Sequence, residues 1–383
     1  MPQCLYAVPS ADPGRDGGVV SAWLWSRAGA LALSHVTART SASRQSVVFA
    51  ALCTMIGWRT GHDTCVLPVI SSNRYQRNLR EYMGTLVQDG ITSLNVRAPG
   101  FDEVVRRAVA AVLRANHSSL ITVEALARAT EDAEHRRGIV RERYCTFNDI
   151  SEYIMAAADS PAAESSPPLA SMAEIGHARD ETRFAQLPAP GAEETLLKLL
   201  VQQVESELII NATARDANRV PLGELEALLR GTESLLVAAA SGDVPLSELG
   251  AVTGVQPIAR GPGWLRVGPS WIELAQVQRL VEDALPAPAA AFAIRGAVTA
   301  EPELVAYLAA GGGVGTPEQA HAACMATLAG TRGVAPPDGI RYTAMAPGRY
   351  VVCARAPADV RDLAGWQRQA VVAEGDGRRP TPR

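Results

Sequence analysis

Aromatic side chains are scarce: Phe, Trp and Tyr make up 5% of the 383 residues. Surfaces that stack bases need several of them together, so the composition argues against a nucleic-acid binder. The formal charge of −4 supplies no general attraction to nucleic acid or to an anionic membrane. No apolar run reaches about 18 residues without a charge, so no membrane span is expected. There are six cysteines, at positions 4, 53, 65, 145, 324 and 353, and none forms a C-x-x-C pair. The opening "MPQCLYAVPSADPGRDGG" has no basic stretch followed by an apolar core. Scattered cysteines behind such a start read as reduced thiols of a cytoplasmic protein. Six histidines are dispersed, with no H-x-x-x-H or H-E-x-x-H, so no metal site is expected. No G-x-S-x-G elbow is present either.

What remains is an ordinary globular composition, 47% hydrophobic and 20% charged, long enough for two or three domains. Residues 1–20 read as a disordered tail rich in Pro, Gly and Asp. "SAWLWSRAGALALSHVTARTSAS" reads as a strand and then a helix. "SRQSVVFAALCTMIGWRTG" (43–61) is apolar on most faces, hence a buried helix with Ser43 as N-cap and Gly61 as stop. "TCVLPVISSNR" (64–74) reads as a buried strand entering a polar loop. "REYMGTLVQDGITSLNV" (80–96) alternates like a strand from Gly84 onward but carries Gln88 and Asp89 inside it, as a junction or ligand-facing edge would. "FDEVVRRAVAAVLRANHSS" (101–119) is an amphipathic helix with Asp102 expected to cap it, and a second helix runs through Val123, Leu126 and Ala127. "YCTFNDIS" (144–151) reads as a strand, and 156–183 as a flexible insertion. Two strands about a turn near Glu205–Glu207 and a helix over 220–243 follow, with Pro221 in its first turn, then a linker in 254–263. The last 120 or so residues read as a compact α+β module that ends on the strand "RYVVCA".

Three features draw attention and have plain explanations. "GGGVGTPE" (311–318) precedes a helix, where phosphate can bind, yet no Lys-Ser/Thr follows, so it reads as a turn. "EDAEHRRGIVRERY" (131–144) is a mixed charge run of the kind that faces solvent. His117 follows a helix and reads as a helix-end cation.

The order of these segments resembles the C-terminal half of a nonribosomal peptide synthetase condensation domain. The strand ending in "SNR", the segment "MGTLVQD" where that family has I-G-x-F-V-N-T, "HSSLITVEAL", the Phe147-Asn148 pair and the exit "PLSEL" carry it, over roughly 21–255. The resemblance implies an α/β (α+β) fold, a chloramphenicol-acetyltransferase-like half-sandwich lobe. It implies amide-forming acyl transfer between substrates on carrier proteins, and Arg74, Gly84, Gln88 and Asn148 as residues lining the substrate tunnel. The family's H-H-x-x-x-D-G motif is missing, so the catalytic residues remain unknown and a separate lobe is expected to supply the base. The alternative is a non-catalytic docking or scaffold protein for carrier proteins or synthetases. The segment 256–383 resembles the C-terminal subdomain of AMP-binding adenylation enzymes, through Ile272-Glu273-Leu274, "ELVAYLA" and "MAPGRYVV". It lacks the terminal G-K-x-D-R lysine and the hinge Asp. No directly bound cofactor and no metal are therefore expected. The expected partners are a peptidyl or acyl carrier protein with its phosphopantetheine arm, and an N-terminal lobe or a second copy.

Overall fold

The computed structural model describes residues 17–74, 77–140, 145–151, 168–189, 195–268, 270–295, 302–311, 313–329 and 344–378. The chain forms two compact units. The first, here the lobe, takes residues up to 121 and 143–258. The second, the module, takes 122–142 and everything from 259 onward.

The lobe is built on seven strands: β1 (Val20–Ser26), β2 (Thr64–Ser71), β3 (Gln88–Asn95), β4 (Cys145–Asp149), β5 (Arg183–Gln186), β6 (Leu197–Gln203) and β7 (Leu208–Ala214). Their order is β3-β2-β4-β6-β7-β1-β5. The β2–β4 and β4–β6 pairs are parallel and the others antiparallel, so the sheet is mixed. One row of residues in register crosses it: Gly90, Val69, Phe147, Leu199, Ala212 and Ala22, all buried. Helices α1 (Arg27–Thr40), α2 (Arg44–Thr60), α3 (Phe101–His117), α5 (Met172–Asp180) and α6 (Leu222–Ser241) belong to the lobe, as does the short α7 (Leu249–Thr253). Helix α3 comes so close to β3 that a Cβ on Gly90 would sit 2.7 Å from the Ala115 carbonyl oxygen.

Local chemistry explains the helix ends. Ser43 Oγ accepts from the Ser46 N–H, and Gly61 closes α2 in the left-handed region. Thirteen of the seventeen α2 residues are buried, as an apolar surface on most faces predicts. Helix α3 differs from expectation. Its N-cap is Gly100, not Asp102. The Asp102 N–H donates to Asp243 Oδ1 at 2.8 Å, while its own carboxylate takes a two-pronged bond from Arg39 at 2.7 and 2.8 Å. A carboxylate arriving from the end of α6 thus does the capping. Pro221 likewise stands at the N-cap of α6 and not inside its first turn.

Two further expectations are corrected. The segment 156–183, read as a flexible insertion, is over 172–180 a helix with a complete capping box between Ser171 and Glu174. It leads into β5, which pairs with β1; residues 156–167 lie outside the described residues. Of the expected tail 1–20, residues 1–16 lie outside the described residues, but Val20 already belongs to β1 and the Gly17 N–H donates to Asp216.

The module has α4 (Val123–Arg137), a hairpin of β8 (Trp264–Val267) and β9 (Ser270–Glu273), and α8 (Leu274–Ala284). It continues with β10 (Ala289–Arg295), β11 (Pro302–Ala309), α9 (Pro317–Ala329), β12 (Arg349–Cys353), α10 (Leu363–Gln367) and β13 (Val371–Gly375). Its sheet runs β10-β11-β12-β13, with only β11 and β12 parallel. Alternation along the strands gives each face its own core. Ala289, Leu304, Ala306 and Val352 meet Val277, Val281 and Leu328, whereas Val305, Tyr307, Val351 and Cys353 meet Trp366. "RYVVC" is therefore not the last strand; β13 adds an edge whose Val371 and Val372 are exposed. Helix α4 and the residues after it, read in sequence order as part of the lobe, lie in the module. Ile139 belongs to the module core, and the Gly138 carbonyl accepts from the Ala346 N–H at 2.6 Å.

Candidate functional site

The lobe holds a cleft of about 450 Å³ where the C-terminal ends of β2 and β4 meet the start of α2 and one side of α3. Parallel neighbours explain the place, because β2 and β4 end side by side at Val69–Ser71 and Phe147–Asp149. The floor is apolar: Phe49 and Phe147 meet edge to face with ring centroids 5.0 Å apart. The wall is rich in hydroxyls and amides, from Ser41, Ser43, Ser46, Ser71, Ser72, Gln45 and Asn116. Among the described residues, Asp149 is the one ionisable side chain in the lining. Its Oδ1 accepts from the Ser151 N–H at 2.9 Å and the Ser151 Oγ–H at 2.6 Å. No histidine lines the cleft among the described residues.

Arg74 and Gly84 are brought together. The Arg74 guanidinium donates to the carbonyl oxygens of Tyr82 at 2.6 Å and Gly84 at 2.9 Å, and more weakly to those of Leu79 and Arg80. Residues 79–84 are thus wrapped on one side chain, which is why the strand starts at Gln88 and not at Gly84. Gly84 holds φ +153° with the Tyr82 ring against it. Asn73 pins the other end of this strap. It is fully buried with φ +56°, and its Nδ2 donates to the Leu86 carbonyl at 2.7 Å while its Oδ1 accepts from Ser119. Gln88 pairs with Ser71, and its Oε1 accepts from the Ile121 N–H at 3.3 Å. Asn148 is not among the cleft residues; Phe147 and Asp149 are. Strand alternation sends neighbours to opposite faces, so the Phe-Asn pair splits across the sheet.

Replacing Arg74 with alanine removes the donor that gathers these carbonyls. Trypsin should then cut at Arg77 or Arg80 about tenfold faster, by the rise in local opening that loss of charge-assisted bonds allows. The denaturation midpoint should barely move, and an unchanged cleavage rate would show that the strap is held by other contacts.

Sequence reading did not nominate the serines of "SASRQS", Asn73 or Asp149. The hydroxyl run at 41–46 was the available signal, and it looked like an N-cap alone. Trp23 and Trp25 stack at 5.9 Å, half-buried, with the Arg183 guanidinium over Trp25. The large exposed apolar residues of the lobe include Tyr82, Met83, Val87, Leu113, Leu120 and Ile121.

A second titratable cluster lies in the module core. His321 is fully buried; its Nε2 is 2.8 Å from the His135 carbonyl oxygen and its Nδ1 3.2 Å from Tyr350 Oη. A carbonyl only accepts, so Nε2 carries the hydrogen and Nδ1 accepts from the tyrosine. Burial pushes the Cys324 thiol up to about 11 and Tyr350 well above its ordinary value. Cys324 is therefore an inert thiol at neutral pH. Burial also lowers the pKa of His321, with the nearby His135 and Arg378 acting the same way against the His135 carbonyl and Asp376. The folded state holds this histidine neutral, whereas the unfolded chain protonates it below about pH 6.5. Module stability should therefore fall as pH drops through that value. His321→Gln should flatten the slope between about pH 6.5 and 5 in urea titrations followed by hydrogen exchange of β11 and β12. An identical slope in the variant would remove His321 from the account.

Cys53, Cys65, Cys145, Cys324 and Cys353 are buried, and no disulfide forms among the described residues. Among the described residues no helix is long and apolar enough to cross a membrane, and no cluster of His, Cys, Asp or Glu could hold a metal.

No protein-family model matches the sequence, and no curated protein does. Solved structures do show similarity. A four-domain nonribosomal peptide synthetase, holo-AB3403 bound to AMP and glycine, is 11% identical over 64% of this chain and 19% of its own, with a TM-score of 0.47. The X-domain from teicoplanin biosynthesis is 14% identical over 63% of this chain and 52% of its own, with a TM-score of 0.45. The first condensation domain of the CDA synthetase is 21% identical over 62% and 49%, with a TM-score of 0.41. This chain spans about half the length of the latter two and less of the first.

Proposed function

We propose that this chain acts in nonribosomal peptide or related natural-product biosynthesis, as one lobe of a condensation-type acyltransferase completed by a separate lobe bearing H-H-x-x-x-D-G. The observation that carries this reading is the cleft at the ends of β2 and β4, apolar beneath and lined with hydroxyls and amides, with Asp149 its one ionisable side chain among the described residues. Such a lining suits an extended, uncharged acyl or pantetheine-like chain, delivered by a peptidyl or acyl carrier protein. Amide formation from a thioester joins the amine nitrogen to the carbonyl carbon and breaks the C–S bond. The proton lost by nitrogen ends on the departing thiolate. A base must stand within about 3 Å of that proton, and among the described residues the cleft lining offers no histidine for it. The Asp149 carboxylate oxygen that accepts two bonds from Ser151 is committed to its own turn.

The purified chain should form no amide from carrier-bound acyl and aminoacyl thioesters, and adding an H-H-x-x-x-D-G lobe should start the reaction. Product from the chain alone would overturn the two-lobe reading. The same missing base favours a second reading, a docking or scaffold protein; carrier binding with no amide even when the lobe is added would establish that one. The module is proposed to be a degenerate adenylation-type subdomain without activity of its own. Pyrophosphate exchange with ATP should stay at background for every amino acid, and robust exchange would overturn that assignment.

A further inference from the structure

We infer that the face of the lobe around the 79–88 strap and the end of α3 is a docking surface for an acidic amphipathic helix of a partner protein. This inference stands apart from the proposed chemistry. Two exposed apolar runs meet there. The first is Tyr82, Met83 and Val87 on the strap, with Met83 95% exposed. The second is Leu113, Leu120 and Ile121 at the end of α3 and just past it. They are joined by bonds from Asn73 to Leu86, Ser119 to Asn73 and Ile121 to Gln88, so strap and helix end form one surface. Met83 lies in water as it would in the unfolded chain, so covering it on docking gains apolar burial. Its unbranched thioether adapts to the ridges of a partner. Leu113 also stands at the rim of the cleft, so a helix laid across this face borders the cleft without filling it.

Charge selects the occupant. Arg77 and Arg80 beside the strap and Arg114 near the end of α3 are exposed against one exposed strap carboxylate, Glu81, and none of the three arginines makes an ion pair among the described residues. In a chain of net charge −4 this is a local excess of positive charge beside apolar side chains. An apolar stripe flanked by Glu and Asp complements it. A second copy of the same face would bring arginines against arginines. A membrane would gain about 1 kcal/mol from each of three arginines, too little for stable attachment without a larger inserted surface.

The test uses the full chain and a fluorescent synthetic helix of about five turns, with leucines along one face and glutamates beside them. Anisotropy should show saturable binding. Changing Arg77 and Arg80 to glutamate should weaken it about tenfold, as should raising salt well above about 0.15 M. Met83→Asp should weaken it similarly, and because the side chain is almost wholly exposed the fold, read by circular dichroism, should not change. Equal binding of a lysine-for-glutamate helix, or no binding of either, would overturn the inference. So would stronger capture by vesicles of phosphatidylserine and phosphatidylcholine, which would make this a membrane face. Amide-formation assays read none of these quantities, so the two proposals fail separately.

Discussion

Trp366→Ala should cost the module about 4–6 kcal/mol of its stability. Trp366 is fully buried on the second face of the module sheet, against Ala290, Val305, Tyr307, Ala309, Val351 and Cys353. Its ring lies 6.1 Å from Tyr307, and its Nε1 donates to the Val360 carbonyl at 2.8 Å. Truncating a buried tryptophan costs about 3–5 kcal/mol, and the carbonyl left behind adds about 1. A domain of this size holds only about 5–15 kcal/mol in all. Hydrogen exchange over 302–309 and 349–353 should speed up about a thousandfold or more. Trp366→Phe keeps most of the packing and loses the bond, so it should cost clearly less. Equal losses for the two variants would mean that the hydrogen bond, and not the volume, holds this face.

Phe49→Ala should be nearly as severe in the lobe. Phe49 is buried in the middle of α2 and forms the cleft floor with Phe147. The transfer and cavity terms again suggest about 3–5 kcal/mol. The new space opens into the cleft, where water can enter, so the lower part of that range is expected. A double-mutant cycle with Phe147→Ala should return a coupling of about 0.5–1.5 kcal/mol for the edge-to-face pair, measured from urea midpoints. A coupling near zero would show that the two rings are independent fillers.

Much of the lobe could be read from its sequence, because its signals are local. The buried α2, the amphipathic α3 and the alternation in β6 and β7 each follow from periods of 3.6 or 2 that need no knowledge of distant partners. Caps made within a few residues, such as Ser43 and Gly61, were legible for the same reason. What failed depends on long-range chemistry. Nothing near Asp102 announces that Asp243 caps α3, 141 residues away. The strap looked like part of β3 because alternation cannot reveal that Arg74 folds its backbone back. In the candidate site, Arg74, Gly84 and Gln88 are linked through one loop, while Asn148 lies between the cleft residues Phe147 and Asp149 and does not line the cleft itself. On a strand one residue is the whole difference between facing the cleft and facing away.

The interleaving of the two units has a consequence for any attempt to divide the protein. A gene cut near residue 258 would strip α4 and Ile139 of the module core that surrounds them, while leaving them spliced into the middle of the lobe. The module expressed from 259 onward would lack the carbonyls of His135 and Gly138 to which His321 and Ala346 donate. During synthesis β1 likewise cannot complete its place between β5 and β7 until residue 214 has left the ribosome. Pairings this distant raise contact order and slow folding. Each unit therefore stays exposed to misfolding until its later segment arrives, and fragments chosen by sequence order alone would inherit that exposure permanently.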